Sequence, residues 1–350
     1  MAPESVERTG PTASTGESSA RRHRPDGGPD VDEDATNVAI ACQGGGSHTA
    51  FTAGVLKELF RNWQPEHELV GISGTSGGAL NALAAWYGFV TDGPDRAAEL
   101  VEAVWEELQA DTPVDLWTNS WVVGLSRMDD HGLPLPRLSP HQCPGSRYGR
   151  RRIRRTIEDL VDFDRFSTLC QETGPRLVIG TVDVNAGEFE TFVDEAVTPE
   201  AILASAAVPR LFEAVEIDGD DHWDGLFSQN PPIDDLLTVD ADRKPDELWV
   251  IQVNPQRREE TPREPEEIAD RRNELAGNIS LNQELRFIER VNQWIDAGHL
   301  PETEFARTEV ERITMDRRYS AASKTDRSPD FIDELVTFGE QQAVAFREAR

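Results

Sequence analysis

The chain has 350 residues, enough for one large core or two modest ones, and 37% of them are hydrophobic. Its formal net charge is −30, from 65 acidic and 35 basic residues, which argues against nucleic acid as a partner because phosphates would be repelled. The three cysteines, Cys42, Cys143 and Cys170, are widely spaced, so neither a disulfide framework nor a zinc site is indicated.

The acidic residues are spread along the whole chain, and only three of the basic residues are lysines. A dispersed acidic surface poor in lysine is typical of halophilic proteins, which stay soluble in concentrated salt because their self-repulsion is screened. The sequence shows no apolar run of membrane-spanning length and no signal-peptide pattern, which predicts a cytoplasmic protein, with peripheral contact to a membrane left open. No metal and no cofactor is predicted, and the oligomeric state is not readable.

Composition divides the chain into three predicted regions. Residues 1–36 are mostly Pro, Gly, Ser, Thr, Arg and Asp, which predicts a disordered polar tail. Residues 37–256 carry the apolar strand and helix patterns of a folded domain. Residues 257–350 begin with a charged linker and are then mostly helical, which predicts a C-terminal helical region packed on that domain.

The central region opens with two strands, each of which leads into a helix. A buried strand is predicted over residues 38–42 and a helix over residues 50–63, with apolar residues recurring on one side. A second strand over residues 69–72 leads into a helix of strong helix formers from residue 79 onward. This order implies a parallel sheet with right-handed crossovers.

Residues 111–150 differ from their surroundings, since they are rich in Trp, Pro and Gly and have no periodicity. We predict an irregular connection here. Its apolar residues either line or cover an apolar site or simply pack the connection, and both interpretations stay open.

Six arginines lie between Arg147 and Arg155, at the start of a predicted helix over residues 153–163. In so acidic a chain this is a local inversion of charge. The arginines would meet phosphate headgroups or pair with the acidic residues of the chain itself, and the second interpretation is the favoured one.

The remaining elements of the central region are shorter. Strands are predicted over residues 176–184 and 188–192, a short helix from residue 199, and a strand over residues 215–217. A last core strand is predicted over residues 247–253.

The segment around Ser76 has the pattern of a nucleophile elbow. Gly74 and Gly78 flank the serine at two residues on either side, between the predicted strand and helix. The glycines permit a strained turn, and the hydroxyl would sit at a helix N-terminus. Ser73 has no glycine two residues further on, so Ser76 is the candidate nucleophile.

Three consecutive glycines, Gly44, Gly45 and Gly46, lie between the first strand and its helix. Successive backbone amides without side chains near a helix N-terminus form a nest that binds anions. A dinucleotide loop would require glycine at Thr49, and GxxxxGK[ST] is absent, so a nucleotide site is not indicated. The loop is instead a candidate oxyanion hole.

The candidate base for Ser76 is a carboxylate rather than a histidine. No histidine that follows Ser76 has the context of a catalytic base; these are His131, His141, His222 and His299. Asp224 follows a predicted hairpin, and a carboxylate beside a serine accepts its proton directly if desolvation raises the carboxylate pKa. On its own, Asp224-Gly225 is also compatible with an ordinary hairpin turn.

Four motifs in a fixed order resemble the patatin-like phospholipases, the acyl hydrolases with a Ser-Asp dyad. They are Gln43-Gly44-Gly45-Gly46 with Ala53-Gly54-Val55-Leu56, Gly71-Ile72-Ser73-Gly74-Thr75-Ser76-Gly77-Gly78-Ala79-Leu80-Asn81-Ala82, Ala204-Ser205-Ala206-Ala207-Val208-Pro209, and Asp224-Gly225-Leu226-Phe227-Ser228-Gln229-Asn230-Pro231-Pro232. The resemblance covers about residues 38–256 and makes residues 37–256 the catalytic domain.

The resemblance implies both a fold and a set of site residues. The fold is a three-layer α/β/α sandwich with a central, mostly parallel sheet, to which the C-terminal helices are added. The implied site consists of the nucleophile Ser76, the base Asp224, the oxyanion donors Gly44, Gly45 and Gly46, and the elbow glycines Gly74 and Gly78.

The implied activity is hydrolysis of lipid acyl esters, phospholipase A-like, through an acyl-enzyme. The expected partner is a lipid or acyl-ester substrate, with transient contact to a membrane surface left open. The alternatives are a non-catalytic lipid- or membrane-binding module on the same scaffold, a thioesterase and a serine protease.

Two positions depart from the family pattern. Ser47-His48-Thr49 stands where a basic residue usually follows the glycines, and Leu226 replaces a second glycine after Asp224. His48 would either position the substrate or bind a phosphate, or else cap the following helix.

Overall fold

A sheet of eight strands runs through the described part of the chain, which comprises residues 35–130, 139–142, 144–172, 174–209, 211–238, 243–301 and 304–350 of a computed structural model. The predicted polar tail up to residue 34, together with His131 and Cys143, lies outside the described residues. Within those residues, no helix combines the length and the apolar character needed to cross a bilayer.

The elements alternate between strand and helix through most of the chain. The strands are β1 Thr36–Cys42, β2 His67–Gly74, β3 Arg176–Asp183, β4 Glu188–Val193, β5 Val215–Ile217, β6 Asp220–Asp224, β7 Glu247–Gln252 and β8 Glu309–Thr314. The α-helices are α1 Ala50–Arg61, α2 Gly77–Asp92, α3 Pro94–Leu108, α4 Pro113–Asp130, α5 Pro144–Leu160, α6 Phe166–Glu172, α7 Pro199–Ser205, α8 Asp234–Leu237, α9 Pro265–Asp296 and α10 Pro329–Glu348. Short 3-10 helices cover Gly46–Thr49, Pro140–Gln142, Asp194–Ala196, Gly225–Phe227 and Ala321–Thr325.

The sheet is parallel on one side and antiparallel on the other. Its strand order is β5-β6-β3-β2-β1-β7-β8, and β4 pairs with β3 outside this path. The pairs β3-β2, β2-β1, β1-β7 and β7-β8 are parallel, whereas β4, β5 and β6 join by antiparallel pairing. The prediction of a central, mostly parallel sheet is confirmed.

Helices cover both faces of the sheet, and alternate residues of β1 point into the two resulting cores. Val38 and Ile40 belong to the larger core, which also includes residues of α1, α2, α3 and α10. Ala39 and Ala41 belong to the smaller core, which α9 closes with residues such as Leu285. The predicted three-layer α/β/α sandwich is therefore confirmed.

Strand β8 and helix α4 were not expected from the sequence, and helix α5 begins at Pro144, before the helix predicted over residues 153–163. β8 extends the sheet from within the C-terminal region, but only Ile313 of this edge strand is fully buried, so it shows no apolar run. Helices α4 and α5 occupy most of residues 111–150, where we predicted an irregular connection. The periodicity of α4 is hidden because several of its apolar residues are exposed rather than confined to one buried stripe.

Helices α1 and α10 approach so closely that each places a glycine at their contact. A Cβ atom on Gly54 of α1 would lie 2.0 Å from the carbonyl oxygen of Val336. A Cβ atom on Gly339 of α10 would lie 2.1 Å from the carbonyl oxygen of Phe51. Because both neighbours are backbone atoms, a side chain at either position would force the two helices apart.

We expect Gly339→Ala to lower the free energy of unfolding by about 1–3 kcal/mol, the usual effect of overpacking a core. Gly124→Ala is the matched control, because Gly124 lies within α4 and nothing stands within 4 Å of its Cβ position. The control should be neutral or stabilising by up to about 1 kcal/mol, from the better helix propensity of alanine. Urea denaturation measures both, and equal effects would contradict the tight contact.

Candidate active site

The register of the sheet brings Ser76 and Asp224 together. Strand β2 ends at Gly74, which is the partner of Ile179 on β3. Two residues further along β3, Thr181 is the partner of Asp224 on β6. Because Ser76 follows Gly74 by two residues, the turn that carries it lies beside the end of β6. Both residues line one cavity.

The turn at Ser76 is strained in the way a nucleophile elbow requires. Ser76 has φ 58° and ψ −128° and directly precedes α2, and a positive φ is unfavourable for any residue with a side chain. The turn is held because the Ser76 amide donates a hydrogen bond to the Ser205 hydroxyl oxygen at 2.9 Å. Gly74 is required, since a Cβ there would lie 2.3 Å from the carbonyl oxygen of Gly78.

Asp224 is completely buried. Its Oδ1 accepts a hydrogen bond from the Leu226 amide at 2.9 Å, whereas Oδ2 has no hydrogen-bond partner of standard geometry among the described residues. Burial raises the pKa of Asp224 to about 7, against smaller lowering contributions from the Ser76 hydroxyl and the Leu226 amide. The carboxyl group is therefore poised to gain or lose a proton near neutral pH.

The glycine loop lies directly against Ser76. A Cβ atom on Gly44 would be 2.8 Å from the Cβ of Ser76, so only glycine leaves room here. The Gly44 amide donates to Oδ1 of Asn230 at 2.6 Å, and its carbonyl oxygen accepts from Nδ2 of Asn254 at 2.9 Å. No described residue accepts a hydrogen bond from the amides of Gly45 and Gly46, both of which line the cavity.

The side chain of Gln43 anchors this loop to two other elements. Its Oε1 accepts hydrogen bonds from the amides of Val253 and Asn254, just after β7. Its Nε2 donates to Oδ1 of Asn278 on α9 at 2.9 Å. Because Gln43 is fully buried and its polar atoms are satisfied, it fixes the glycine loop without leaving a buried group unpaired.

A cavity of about 300 Å³ opens over these residues, and the C-terminal region supplies much of its wall. Its lining residues are Gly44, Gly45, Gly46, Ser76, Val208, Leu211, Asp224, Leu226, Asn230, Asn254, Ala269, Asp270, Asn273, Glu274, Ala321, Ala322, Lys324 and Thr325. The sequence did not predict the contribution of α9 and of residues 321–325, because no local pattern reports a contact across such a chain separation.

A network of charged side chains forms the polar part of this wall. Nζ of Lys324 lies 2.7 Å from Oδ1 of Asp270, and Arg258 bridges Asp270 and Glu274. Arg271 contacts Glu274 at 3.0 Å. Each acid is therefore paired, as buried charges require.

No histidine among the described residues lines the cavity. His48 is buried beside the glycine loop, where Nε2 lies 2.8 Å from the Ser323 hydroxyl. Burial, together with the nearby charge of Lys324, lowers its pKa to about 3, so the ring is neutral at physiological pH. His222 contacts Glu190, whereas His141 and His299 are exposed.

Several polar residues of the site were not singled out from the sequence. Asn254 follows β7 much as Gly44 follows β1, and the carboxyl ends of adjacent parallel strands meet at one edge of a sheet. This rule could have identified Asn254 from the sequence, because Asn254 follows a predicted core strand. Ser205 and Asn230 lie within the motifs quoted above, but their contacts depend on the folded chain.

A strained serine turn, a buried carboxyl group and a glycine loop therefore meet at one cavity of an α/β sandwich. The family model described as patatin-like phospholipase matches residues 40–237, more than half of the chain. The chain therefore belongs to the patatin-like phospholipase family, whose general class of activity is hydrolysis. A search of curated proteins found no match.

Solved structures are similar only at a distance. The crystal structure of VipD from Legionella pneumophila aligns with TM-score 0.40 and 12% identity, covering 91% of this chain and 68% of VipD. The type III effector protein ExoU aligns with TM-score 0.37 and 13% identity, over 89% of this chain and 52% of ExoU. ExoU in its heterodimeric complex with SpcU, from Pseudomonas aeruginosa, gives TM-score 0.32 and 14% identity, over 98% and 61%. The chain thus spans about half to two thirds of these proteins.

The raised pKa of Asp224 has a consequence for stability. Between the unfolded pKa near 4 and the folded pKa of about 7, the folded state binds the proton more tightly, so stability falls as pH rises. Asp224→Asn removes this dependence. We expect the stability of the variant relative to wild type to increase by about 2–3 kcal/mol between pH 5 and pH 8. Denaturant unfolding at the two pH values measures this, and a constant difference would contradict the raised pKa.

Proposed function

We propose that the protein is a lipid acyl-ester hydrolase in which Ser76 is the nucleophile and Asp224 the general base. The observation that carries the proposal is the position of Ser76 next to a buried carboxyl group whose pKa is raised towards neutrality. Asp224 takes the hydroxyl proton as the Ser76 oxygen attacks the ester carbonyl. The protonated Asp224 then donates to the leaving alcohol, and water releases the acyl group.

The glycine loop supplies the donors for the oxyanion in this proposal. Gly44, Gly45 and Gly46 were predicted together, but the Gly44 amide already donates to Asn230. We therefore assign the oxyanion to the amides of Gly45 and Gly46, and give Gly44 the role of leaving space beside Ser76. The hydrogen bonds of Gln43 and Asn254 hold these amides in place before substrate binds, which is the preorganisation that such a site requires.

We expect Ser76→Ala and Asp224→Asn each to lower kcat for p-nitrophenyl acyl esters by at least about 10³, because each removes a partner of the proton transfer. Ser73→Ala is the matched control: this buried serine is three residues away and is not part of the proposed dyad. A fluorophosphonate probe should label wild type and Ser73→Ala but not Ser76→Ala. Wild-type rates in both dyad variants, with circular dichroism showing folded protein, would overturn the assignment.

The proposal also predicts a pH profile. The base form of Asp224 is lost as the pH falls below about 7, so kcat/KM should drop about tenfold per pH unit there and level off above it. Stopped assays on a soluble ester between pH 5 and pH 9 measure the profile. A rate that stays constant between pH 5 and pH 7 would show that Asp224 is not the base.

A further inference from the structure

Helix α4 exposes an unusual amount of apolar surface. Its buried side is formed by Asp115, Asn119 and Val123, spaced by four residues. On the opposite side Trp117 and Trp121 are 64% and 54% exposed, with ring centroids 5.8 Å apart. We define the α4 surface as these two tryptophans with the other exposed apolar residues, Leu116, Val122 and Leu125. Nothing in the described part of the chain covers it.

Helix α5 exposes a stripe of like charge. Arg147, Arg151 and Arg155 follow one another at intervals of four residues, which places them on one side of the helix, and all three are exposed. Among the described residues Arg151 and Arg155 have no ion-pair partner, whereas Arg147 forms an ion pair with Glu213, with Nε 3.7 Å from Oε1. In a chain with 65 acidic residues, unpaired neighbouring arginines are unexpected, because they repel one another when nothing binds them.

A buried carboxylate joins the two helices. Oδ2 of Asp115 on α4 accepts from Nη1 of Arg152 on α5 at 2.8 Å, and Oδ1 accepts from the Tyr148 hydroxyl at 3.2 Å. Arg152 also donates to the carbonyl oxygens of Glu107 and Gln109, at 2.8 Å each. The α4 surface and the arginine stripe therefore lie on neighbouring helices with a fixed relation to one another.

Each helix also contacts a wall of the catalytic cavity. Asn119 of α4 exchanges hydrogen bonds with Asp326 and with the amide of Arg327, directly after the lining residue Thr325. On α5, a Cβ atom at Gly149 would lie 3.0 Å from the ring of Phe212, the neighbour of the lining residue Leu211. Leu211 is itself 44% exposed.

We propose that the α4 surface and the arginine stripe form a docking surface for an anionic lipid bilayer. Trp117 and Trp121 enter the headgroup region, where amphipathic rings are most stable, and the arginines pair with lipid phosphates. The choice of a bilayer rests on the proposed lipid-ester activity, because a bilayer is a source of lipid esters and α4 contacts residues next to the cavity wall. The exposed tryptophans and arginines fit this partner, because a bilayer offers an interfacial region for the rings and phosphates for the guanidinium groups.

Vesicle sedimentation of the full chain tests the proposal. The probes are vesicles of phosphatidylglycerol and of phosphatidylcholine, in one buffer in which circular dichroism shows every variant folded. Arg147→Gln/Arg151→Gln/Arg155→Gln should weaken binding to phosphatidylglycerol about 100-fold, at roughly 1 kcal/mol for each arginine. It should leave binding to phosphatidylcholine unchanged. Trp117→Ala/Trp121→Ala should weaken binding to both.

Matched variants separate this surface from general effects of charge and apolar area. Arg61→Gln/Arg96→Gln/Arg307→Gln removes three exposed arginines elsewhere, and Phe287→Ala removes an exposed aromatic residue about 20 Å along α9 from Glu274. Both controls should bind like wild type. Equal losses in the stripe variant and its control, or no binding of wild type to either vesicle, would overturn the proposal.

Hydrolysis of a soluble short-chain ester keeps the two proposals apart. Both docking variants should retain the wild-type rate on that ester within about twofold, and Ser76→Ala should retain wild-type binding to vesicles. Vesicle binding without any ester hydrolysis would contradict the proposed function and leave the docking surface supported. Ester hydrolysis without vesicle binding would contradict the docking surface and leave the proposed function supported.

Discussion

The site depends on the pairing of one strand, β3, with two different neighbours along the same edge. β2 pairs in parallel with residues 176–179, and β6 pairs antiparallel with residues 181–183. The pairing along this edge of β3 changes from parallel to antiparallel where β2 ends. At that point the turn with Ser76 leaves the sheet, and Asp224 lies at the end of β6. A slip of one residue in the β3-β6 register would carry the Asp224 side chain to the opposite face, so the register itself specifies the pair.

Burial of Asp224 opposes stability, and in the proposed mechanism it serves reactivity. Burying a carboxyl group whose Oδ2 has no hydrogen bond of standard geometry costs free energy, and so does the positive φ of Ser76. Both lower the stability of the folded state. Both features are held in place by groups that have no part in the proposed chemistry. Ser205 fixes the Ser76 amide, and the fully satisfied side chain of Gln43 ties the glycine loop to β7 and α9. Hydrogen-bonded polar groups therefore surround the two unfavourable features, the buried carboxyl group and the positive φ.

Local patterns predicted the parts of the site that are themselves local. The strand, turn and helix around Ser76 are contiguous, and glycine spacing shows where the backbone must bend or approach closely, so the sequence alone indicated them. The same was true of the parallel sheet. The walls of the cavity were different, because Asp270 and Lys324 reach it from 46 and 100 residues beyond Asp224, and their approach depends on how α9 crosses the sheet. Composition also misled at residues 111–150, since a helix with exposed tryptophans has the irregular pattern of a loop.

The arginines of α5 differ in whether they pair with acidic residues of the chain. The interpretation favoured from sequence, pairing with the acids of the chain itself, holds for three arginines of α5. Arg147, Arg152 and Arg154 contact Glu213, Asp115 and Glu200, respectively. It does not hold for Arg151 or Arg155 within the described residues. A surface that is negative elsewhere would be repelled by an anionic bilayer in most orientations, and only a side with reversed charge would be attracted. For the proposed docking surface, the acidity of the rest of the chain therefore affects how the protein binds. It selects the one orientation in which α4, α5 and the neighbouring cavity meet the lipid.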